Sequence, residues 1–366
     1  MIKKFLQNIF KIFFYNFFLK IHGKIIGSIG INSDKRIEVK TLNIEKNFTY
    51  KVYKILGGRL YTDRIHDTAA ILENKIIDGP SFQLRDNNNV HVNENIVFTK
   101  GTPRKLRNLN GNVLSLLTGG GGNDNYWHWL YDVLPRIELC ERVTSLDKID
   151  FFLLPNLSKK FQRETLKELN LPDHKLLSSE KYRHIKAKEL IITNHPYVFT
   201  NNAHDDAQKV PEWIFKWLRK KFLKNLDTLG RNYPKKIYID RSDYIKHAQF
   251  RSLINEDEIK NYLIKEGFTA VRLNDLNFTE QVKYFNNADF IIGLHGAGLA
   301  NLSFCKNNTK VIEFKTMKTG KMYENVAYKN KLKYDFIASE VMSRDHTKQF
   351  GHIKIPLNIL EKKLKI

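Results

Sequence analysis

Cysteine and acidic residues are scarce in this chain, and each shortage narrows the class of protein. Only two of the 366 residues are cysteines, which excludes a scaffold held together by several disulfides. Cys140 and Cys305 both fall in apolar segments, so we expect two buried, reduced thiols in a cytoplasmic protein. Aspartate and glutamate number 39 against 61 lysines and arginines, a formal net charge of +22. This excess is compatible with an anionic substrate, an anionic membrane or nucleic acid as partner.

Familiar ligand-binding motifs are also missing. The strand predicted at 236–240 is followed by Arg241 and Ser242 rather than by G-x-G-x-x-G, and the chain has no G-x-x-x-x-G-K-[ST] motif. Neither a dinucleotide-binding fingerprint nor a P-loop is therefore present. No His-x-x-x-His pair accompanies a carboxylate, which argues against a zinc triad. No motif of a nucleic-acid-binding fold occurs, so we expect no nucleic acid as partner.

The first 30 residues contain five lysines and no acidic residue. Their apolar side chains recur at helical spacing, but polar residues interrupt the run too often for a membrane span. No small-residue cleavage site follows, so a signal peptide is disfavoured. Residues 1–30 are predicted to form a basic amphipathic helix at an anionic membrane surface, with a helix packed on the core as the alternative.

The C-terminal half alternates short apolar strands with amphipathic helices. Strands are predicted at 236–240, 268–273, 290–294 and 310–314, and helices at 256–266 and 279–287. This alternation is typical of βαβ units around a parallel sheet. Residues 234–345 are therefore predicted to form a Rossmann-like domain, followed by a C-terminal tail at 346–366.

A glycine-rich turn follows the strand predicted at 290–294. It reads His295-Gly296-Ala297-Gly298 and leads into the start of a predicted helix. Glycine lets backbone N–H groups approach a ligand, and the N-terminus of a helix favours an anion. Ligands in open α/β sheets bind at the carboxyl ends of strands. The turn therefore predicts a diphosphate site, and glycines required only for tight packing are the alternative.

Several polar residues near this turn could bind a nucleotide. Arg241 and Arg251 offer forked donors to phosphate oxygens. Glu313 ends the strand after the turn and could accept hydrogen bonds from ribose hydroxyls, although each of these residues could equally be solvated. Asn255, with Glu258 three residues later, is predicted to cap a helix through a capping box.

The N-terminal half carries a second group of candidate residues. An apolar strand at 113–117 runs into four glycines at 119–122, a loop expected to move or to approach a ligand. A helix kinked near Pro135 should follow. At helical spacing His128, Asp132 and Arg136 share one face. His128 is the best general-base candidate and Asp132 could hold its tautomer, whereas a buried structural histidine with an internal ion pair is the alternative.

The remaining segments complete the predicted organisation. Residues 40–205 should form an N-terminal, acceptor-side domain with early strands at 69–77 and 95–98. An amphipathic helix is predicted at 211–226, within a linker region at 206–233.

Taken together, these residues resemble glycosyltransferase family 61, a group of capsular and surface polysaccharide transferases. The shared pattern lies between residues 61 and 341 and comprises Asn125-x-x-His128-x-x-x-Asp132-x-Leu134-Pro135-Arg136, Arg241, Arg251-x-x-x-Asn255-Glu256, Gln281, Gly293-x-His295-Gly-Ala-Gly-Leu-x-Asn301 and Glu313. Asp240 departs from the pattern, since the family usually has serine before the arginine.

The resemblance implies two Rossmann-like α/β domains facing a cleft, which is the glycosyltransferase-B architecture. It also implies an inverting transfer from a nucleotide-sugar donor, expected to be UDP-linked, without a cofactor or a metal. The catalytic residues would be His128 and Asp132, either of which could be the base. The donor-binding residues would be Arg241, Arg251, His295, Gly296, Ala297, Gly298, Asn301 and Glu313.

We therefore expect an enzyme of capsular or lipopolysaccharide biosynthesis that acts on a glycan or lipid-linked glycan. Its expected location is the cytoplasm, peripheral on the inner face of the cell membrane. The alternatives are a different nucleotide-using transferase, an inactive nucleotide-sugar-binding or scaffold protein, and a basic nucleic-acid-binding protein. An intact pair of His128 and Asp132 argues against the inactive protein.

Overall fold

A computed structural model describes residues 2–46, 48–62, 68–85, 88–117, 124–224, 226, 232–242, 251–343 and 351–365. The chain divides into two compact units, Met1–Ala207 and Gln208–Ile366. The four-glycine run at 119–122 lies outside the described residues, so its predicted approach to a ligand stays a prediction.

The first unit combines short helices with many strands. Its strands are β1 (Gly27–Ile29), β2 (Ile37–Glu45), β3 (Phe48–Leu56), β4 (Arg59–Thr62), β5 (Thr68–Leu72), β6 (Lys75–Ile77), β7 (Leu84–Arg85), β8 (Asn88–Asn89), β9 (Arg107–Ser115), β10 (Phe151–Leu154), β11 (Leu176–Ser178) and β12 (His184–Thr193). Its helices are α1 (Ile2–His22), α2 (Val97–Lys100), α3 (Tyr126–His128), α4 (Pro135–Glu141), α5 (Lys160–Glu168) and α6 (Ala203–Asp206).

Ten of these strands form one mixed sheet in the order β1-β6-β5-β4-β12-β9-β10-β11, with β3 paired to β12 and β2 paired to β3. Strands β12, β9, β10 and β11 run parallel to one another. Strand β12 pairs antiparallel with β3 and β4 on its other side. The α/β class is therefore confirmed, and the antiparallel strands are an addition that a purely Rossmann-like domain would not contain.

Most predicted elements of this unit are present. The strand predicted at 113–117 is the end of the longer β9, and the segment predicted at 69–77 is the β5–β6 hairpin. The strand predicted at 95–98 is wrong, because this segment leads into the short helix α2. The Asn95 side chain accepts the backbone N–H of Val97 at 3.2 Å, which turns the chain locally instead of extending it.

The second unit is the more regular of the two. Its strands are β13 (Lys236–Ile239), β14 (Thr269–Val271), β15 (Phe290–Leu294), β16 (Lys310–Lys315), β17 (Lys333–Ala338), β18 (Val341–Ser343) and β19 (His352–Ile353). Its helices are α7 (Glu212–Phe222), α8 (Glu256–Lys265), α9 (Phe278–Asn287), α10 (Met322–Lys329) and α11 (Leu357–Leu364). Strands β14-β13-β15-β16-β17 form an all-parallel sheet in that order, which confirms the parallel sheet predicted from the alternation.

Helix α7 packs within the second unit. It is the helix predicted at 211–226, in the region assigned to a linker. The ring of Phe222, at its C-terminal end, lies 4.8 Å from the ring of Phe278 and 6.1 Å from that of Phe304. The Arg219 guanidinium also donates to the carbonyl of Ser303 at 3.1 Å. Aromatic packing and this hydrogen bond therefore attach α7 to the unit that contains the parallel sheet.

The predicted capping box at Asn255 is present in part: Asn255 is at the N-cap position of α8 and its amide donates to the Glu258 carboxylate at 2.8 Å. The Asn255 side chain makes no capping hydrogen bond to the backbone at the start of α8. Instead the amide donates to the carbonyl of Ile355 at 2.8 Å and accepts the N–H of Ile355 at 3.1 Å. Ile355 lies 100 positions away in sequence, so local spacing could not predict this contact. Asn255 therefore joins α8 to the segment before α11.

Helix α1 has two different faces. Phe18 is buried, its ring stacks on that of His22, and the His22 ring lies 5.0 Å from the ring of His184 in β12. The rest of the helix surface exposes the large apolar side chains of Phe5, Leu6, Ile9, Phe10, Ile12, Phe13, Phe17 and Ile21. Within the described residues, no helix has both the length and the apolar character needed to cross a bilayer.

Replacing Asn255 with alanine should lower the free energy of unfolding by about 2 kcal/mol, because both backbone groups of Ile355 lose a partner. Asn277→Ala is the matched control. The Asn277 side chain accepts only the N–H of Glu280 in its own helix α9, so its loss should cost about 1 kcal/mol. Urea unfolding followed by circular dichroism compares the two variants. An equal or smaller loss for Asn255→Ala would contradict the bridging role.

Candidate functional site

Two clusters of polar residues, one in each unit, contain the residues singled out from the sequence. The first begins at α3, where the Asn125 side chain caps the helix by accepting the N–H of Trp127 at 2.9 Å. Pro135 lacks an N–H, and Leu134 donates to the carbonyl of Trp129, five residues back. Trp129–Val133 consequently forms a short π-helix, the local form that the predicted kink takes.

The structure brings His128 and Asp132 together. His128 Nδ1 lies 2.8 Å from Asp132 Oδ2, with 35% of the histidine side chain exposed but only 2% of the aspartate. Burial disfavours the imidazolium, yet the adjacent carboxylate outweighs it and raises the pKa of His128. Burial likewise opposes ionisation of Asp132, but its imidazole neighbours hold its pKa well below the usual range. The pair therefore contains a carboxylate and a partly exposed histidine, whose Nε2 makes no hydrogen bond within the described residues.

Arg136 does not bind the carboxylate of Asp132. Its Nε donates to the backbone carbonyl of Asp132, and its Nη1 donates to the carbonyl of Thr193, both at 3.0 Å. The side chain is buried, and burial lowers the pKa of Arg136 to about 10. Arg136 therefore links the helix that carries His128 to the end of β12.

His195 belongs to this cluster and was not identified from the sequence. Its Nε2 lies 3.4 Å from Asp132 Oδ2, the same oxygen that His128 contacts. It follows β12, which pairs in parallel with β9, the strand that precedes the His128 helix. Chemistry-bearing residues after neighbouring parallel strands collect at one edge of a sheet. A prediction of His195 as a site residue would have required knowing that β12 pairs with β9.

In the second unit, the two arginines converge on the glycine-rich turn. The Nη1 atoms of Arg241 and Arg251 each donate to the backbone carbonyl of His295 at 3.1 Å. A Cβ atom on Gly296 would lie 2.5 Å from Arg241 Nη1, and one on Gly298 would lie 2.7 Å from Leu273 Cδ1. A side chain at either position would displace the end of the Arg241 or Leu273 side chain, so close packing at the turn favours both glycines, as in the alternative interpretation of the turn.

The turn nevertheless offers donors to a ligand. It opens into an eight-residue 3-10 helix, Ala297–Phe304. In the described part of the chain, the backbone N–H groups of Gly296, Ala297 and Gly298 have no hydrogen-bond acceptor. Unpaired N–H groups at the start of a helix form a ready anion site. The same turn thus combines close packing with backbone N–H groups that have no acceptor in the described part of the chain.

Glu313 and Asn301 both hold the turn from within. Glu313 is fully buried, and its two carboxylate oxygens contact His295 Nδ1 and the Tyr334 hydroxyl. The Asn301 amide donates to Gln281 Oε1 at 2.9 Å and to the carbonyl of Gly298 at 3.2 Å. Burial lowers the pKa of His295, although Glu313 opposes the shift. Glu313 therefore holds the His295 ring, and Asn301 holds the backbone at Gly298.

Glu256 and Tyr323 also support the turn, and neither was predicted as a site residue. Glu256 is buried, accepts the Tyr238 hydroxyl at 2.7 Å and accepts the backbone N–H of Arg241 at 3.2 Å. The Tyr323 hydroxyl donates to the carbonyl of Gly296. Glu256 follows Asn255 in the family pattern, which was a usable signal, whereas the sequence around Tyr323 contains none.

The sequence matches one protein family and several curated proteins. Residues 126–312, just over half of the chain, match the model of the family described as glycosyltransferase 61. The matched range begins beside Asn125 and ends beside Glu313, so it contains His128, Asp132 and the glycine-rich turn.

Curated relatives are EGF domain-specific O-linked N-acetylglucosamine transferases. The mouse (Mus musculus) protein is 31% identical over 87 residues, covering 22% of this chain and 16% of the relative. The Drosophila melanogaster protein is 30% identical over 92 residues, covering 24% and 18%. The chain thus spans less than a fifth of the length of these relatives. The family match, which covers just over half of the chain, shows that the chain belongs to glycosyltransferase family 61, a family of sugar-transferring enzymes.

Proposed function

We propose that this chain is an inverting, metal-independent glycosyltransferase of surface polysaccharide biosynthesis, capsular or lipopolysaccharide. It would transfer a sugar from a nucleotide-sugar donor to a glycan or lipid-linked glycan. The contact between His128 and Asp132 is the observation that carries the proposal, since it supplies a base on a helix of the family pattern. The name of the curated relatives makes N-acetylglucosamine the first sugar to test, with UDP as its carrier.

His128 is the proposed base. Its Nδ1–H donates to Asp132, which leaves the Nε2 lone pair to accept the proton of the acceptor hydroxyl. As that proton leaves, the acceptor oxygen forms a bond to the anomeric carbon and the bond from that carbon to the phosphate oxygen breaks. Attack from the face opposite the leaving group inverts the configuration. Asp132 stabilises the imidazolium that results.

The leaving nucleoside diphosphate would bind the turn at 295–298. Free N–H groups of Gly296, Ala297 and Gly298 support this assignment, together with the positive charges of Arg241 and Arg251 nearby. Because Glu313 occupies His295 Nδ1, His295 can donate from Nε2 only as an imidazolium, a form that an arriving diphosphate favours. In this proposal, these cations take the place of a divalent metal ion.

The resemblance also supports the glycosyltransferase-B architecture, with acceptor and donor domains facing one cleft, as a proposal for this chain. The exposed apolar face of α1 supports a location at the inner face of the cell membrane. Lys11 and Lys20 lie on the same helix and would favour anionic lipid headgroups.

His128→Ala should lower turnover by on the order of a hundredfold or more while donor affinity changes little, because the variant removes the base but not the turn. His174→Ala, an exposed histidine of the same unit, is the matched control. Asp132→Asn should lower turnover and move the acidic limb of the pH profile to lower pH, because the pKa of His128 loses the charge that raises it. Turnover near normal in His128→Ala would remove His128 from the mechanism.

Ala297→Pro should weaken binding of UDP by roughly tenfold or more, because proline removes one N–H offered to the phosphate. Proline is tolerated at the first residue of a helix, and the preceding Gly296 is extended, with φ 171° and ψ 169°. Ala297→Ser keeps the N–H and serves as control. Calorimetric titration in excess EDTA measures both variants, and unchanged affinity in Ala297→Pro would contradict the site. Binding that requires added magnesium or manganese would contradict the metal-free proposal.

Replacing Phe10, Phe13 and Phe17 together with glutamine should release the protein from vesicles that contain phosphatidylglycerol. These side chains are exposed, and the buried Phe18 is retained, whereas deletion of the helix would remove it. Tyr328→Gln, an exposed aromatic of the second unit, is the control. Vesicle sedimentation is the measurement. Equal sedimentation of the parent and the triple variant would contradict membrane binding through α1.

A further inference from the structure

His195 occupies a fixed place beside the proposed base. Its side chain is almost fully buried, with 1% of its surface exposed. The rings of Tyr197 and Phe82 lie 4.7 Å and 5.5 Å from its own ring. Aromatic neighbours on two sides and burial restrict the imidazole to one orientation. His195 therefore cannot reach a substrate, in contrast to the partly exposed His128.

The backbone determines which nitrogen of His195 carries the proton. Its Nδ1 lies 3.3 Å from the N–H of Tyr197 and 3.1 Å from the N–H of Val198. Both of these groups are donors, so Nδ1 must be the acceptor and the proton must be on Nε2. Burial also lowers the pKa of His195, although Asp132 opposes the shift, which keeps the imidazole neutral. The Nε2–H bond is thus available to an acceptor.

That N–H bond faces the carboxylate of Asp132. Nε2 lies 3.4 Å from Oδ2, which His128 Nδ1 approaches to 2.8 Å. In the described residues, neither Asp132 Oδ1 nor His195 Nε2 has a hydrogen-bond partner, so His195 acts on Oδ2 through an electrostatic contact at 3.4 Å, while His128 makes the hydrogen bond to that oxygen. A donor on each side of Oδ2 restricts the rotation of the carboxyl group. The orientation of His128 and the electrostatic effect of the Asp132 carboxylate on it then both depend on His195.

We infer that His195 is a positioning residue for the transfer reaction, which holds Asp132 in place through its Nε2–H and competes with His128 for the same carboxylate oxygen. This inference rests on the proposed function. His195 touches neither donor nor acceptor. Its effect on the reaction passes through Asp132 to the base.

Other charged and titratable groups surround His128, Asp132 and His195. Arg136 interacts electrostatically with Asp132 and His195, and Tyr197 interacts with Asp132. Asp206 acts on Tyr197 in turn. Variants of His195 leave these groups in place, so a change in the pH profile reports the lost contact to Asp132.

The expected shift of the pH profile follows from the two histidines that share Asp132 Oδ2. Without the His195 donor, Oδ2 interacts with His128 alone, so the pKa of His128 rises further. A base must be unprotonated to accept a proton, so the acidic limb of the turnover profile moves to higher pH. Asp132→Asn moves the same limb to lower pH, and the two variants therefore give opposite signs.

Two isosteric variants separate positioning from folding. The side-chain oxygen of asparagine can replace Nδ1 as acceptor for the two backbone N–H groups, but its amide does not reach Asp132. The amide of glutamine can replace Nε2 as donor to Asp132, but leaves those N–H groups without an acceptor. His195→Asn should lower turnover by up to about tenfold, because Asp132 loses the N–H dipole that faces its carboxylate. Its acidic limb should move up by roughly half a pH unit, with a melting temperature near that of the parent.

His195→Gln should melt at lower temperature but keep the acidic limb of the parent. An unshifted limb in a folded His195→Asn would overturn the inference, and so would equal shifts in the two variants. If His195→Asn does not fold, the test rests on His195→Gln alone. A shifted acidic limb in that variant would contradict the positioning role of His195. Full activity of His128→Ala in the same assay would instead reject the proposed function, so the two failures are distinguishable.

Discussion

Parallel strand pairing is the constraint on which both clusters depend. The chain leaves two neighbouring parallel strands at the same edge of a sheet, so residues distant in sequence become close there. In the first unit, β9 leads to His128 and β12 leads to His195, and these two strands are paired. In the second unit, β13 leads to Arg241 and β15 leads to His295, again on paired strands. Each cluster therefore combines contributions from more than one strand end.

A buried carboxylate holds a histidine in each unit, but the surroundings differ. Asp132 contacts His128, which is partly exposed, and the pKa of His128 is raised. Glu313 contacts His295, which is more deeply buried, and the pKa of His295 is lowered. Burial and the charge of Arg251 disfavour the imidazolium at His295. The same pair of residue types thus gives a histidine with a raised pKa in one unit and a histidine with a lowered pKa in the other.

At the glycine-rich turn, packing determines where the N–H groups of the proposed diphosphate site lie. Gly296 leaves room for the Arg241 guanidinium, and Gly298 leaves room for Leu273. The N–H groups of these glycines point to no acceptor in the described chain, while the arginines are held against the carbonyl of His295. Packing therefore fixes the donors in place before any ligand binds, which limits the reorganisation that binding requires.

The sequence by itself determined the elements whose signals are local. The periodicity of the C-terminal half predicted β13, β15, β16, α8 and α9, and the four-residue spacing put His128 beside Asp132. Tertiary structure alone decided contacts between distant segments: Asn255 binds the backbone of Ile355 rather than that of α8, Arg136 binds Thr193, and His195 meets Asp132. Helical spacing and apolar periodicity act over a few residues, whereas strand order and the partner of a buried polar group depend on which distant segments pack together.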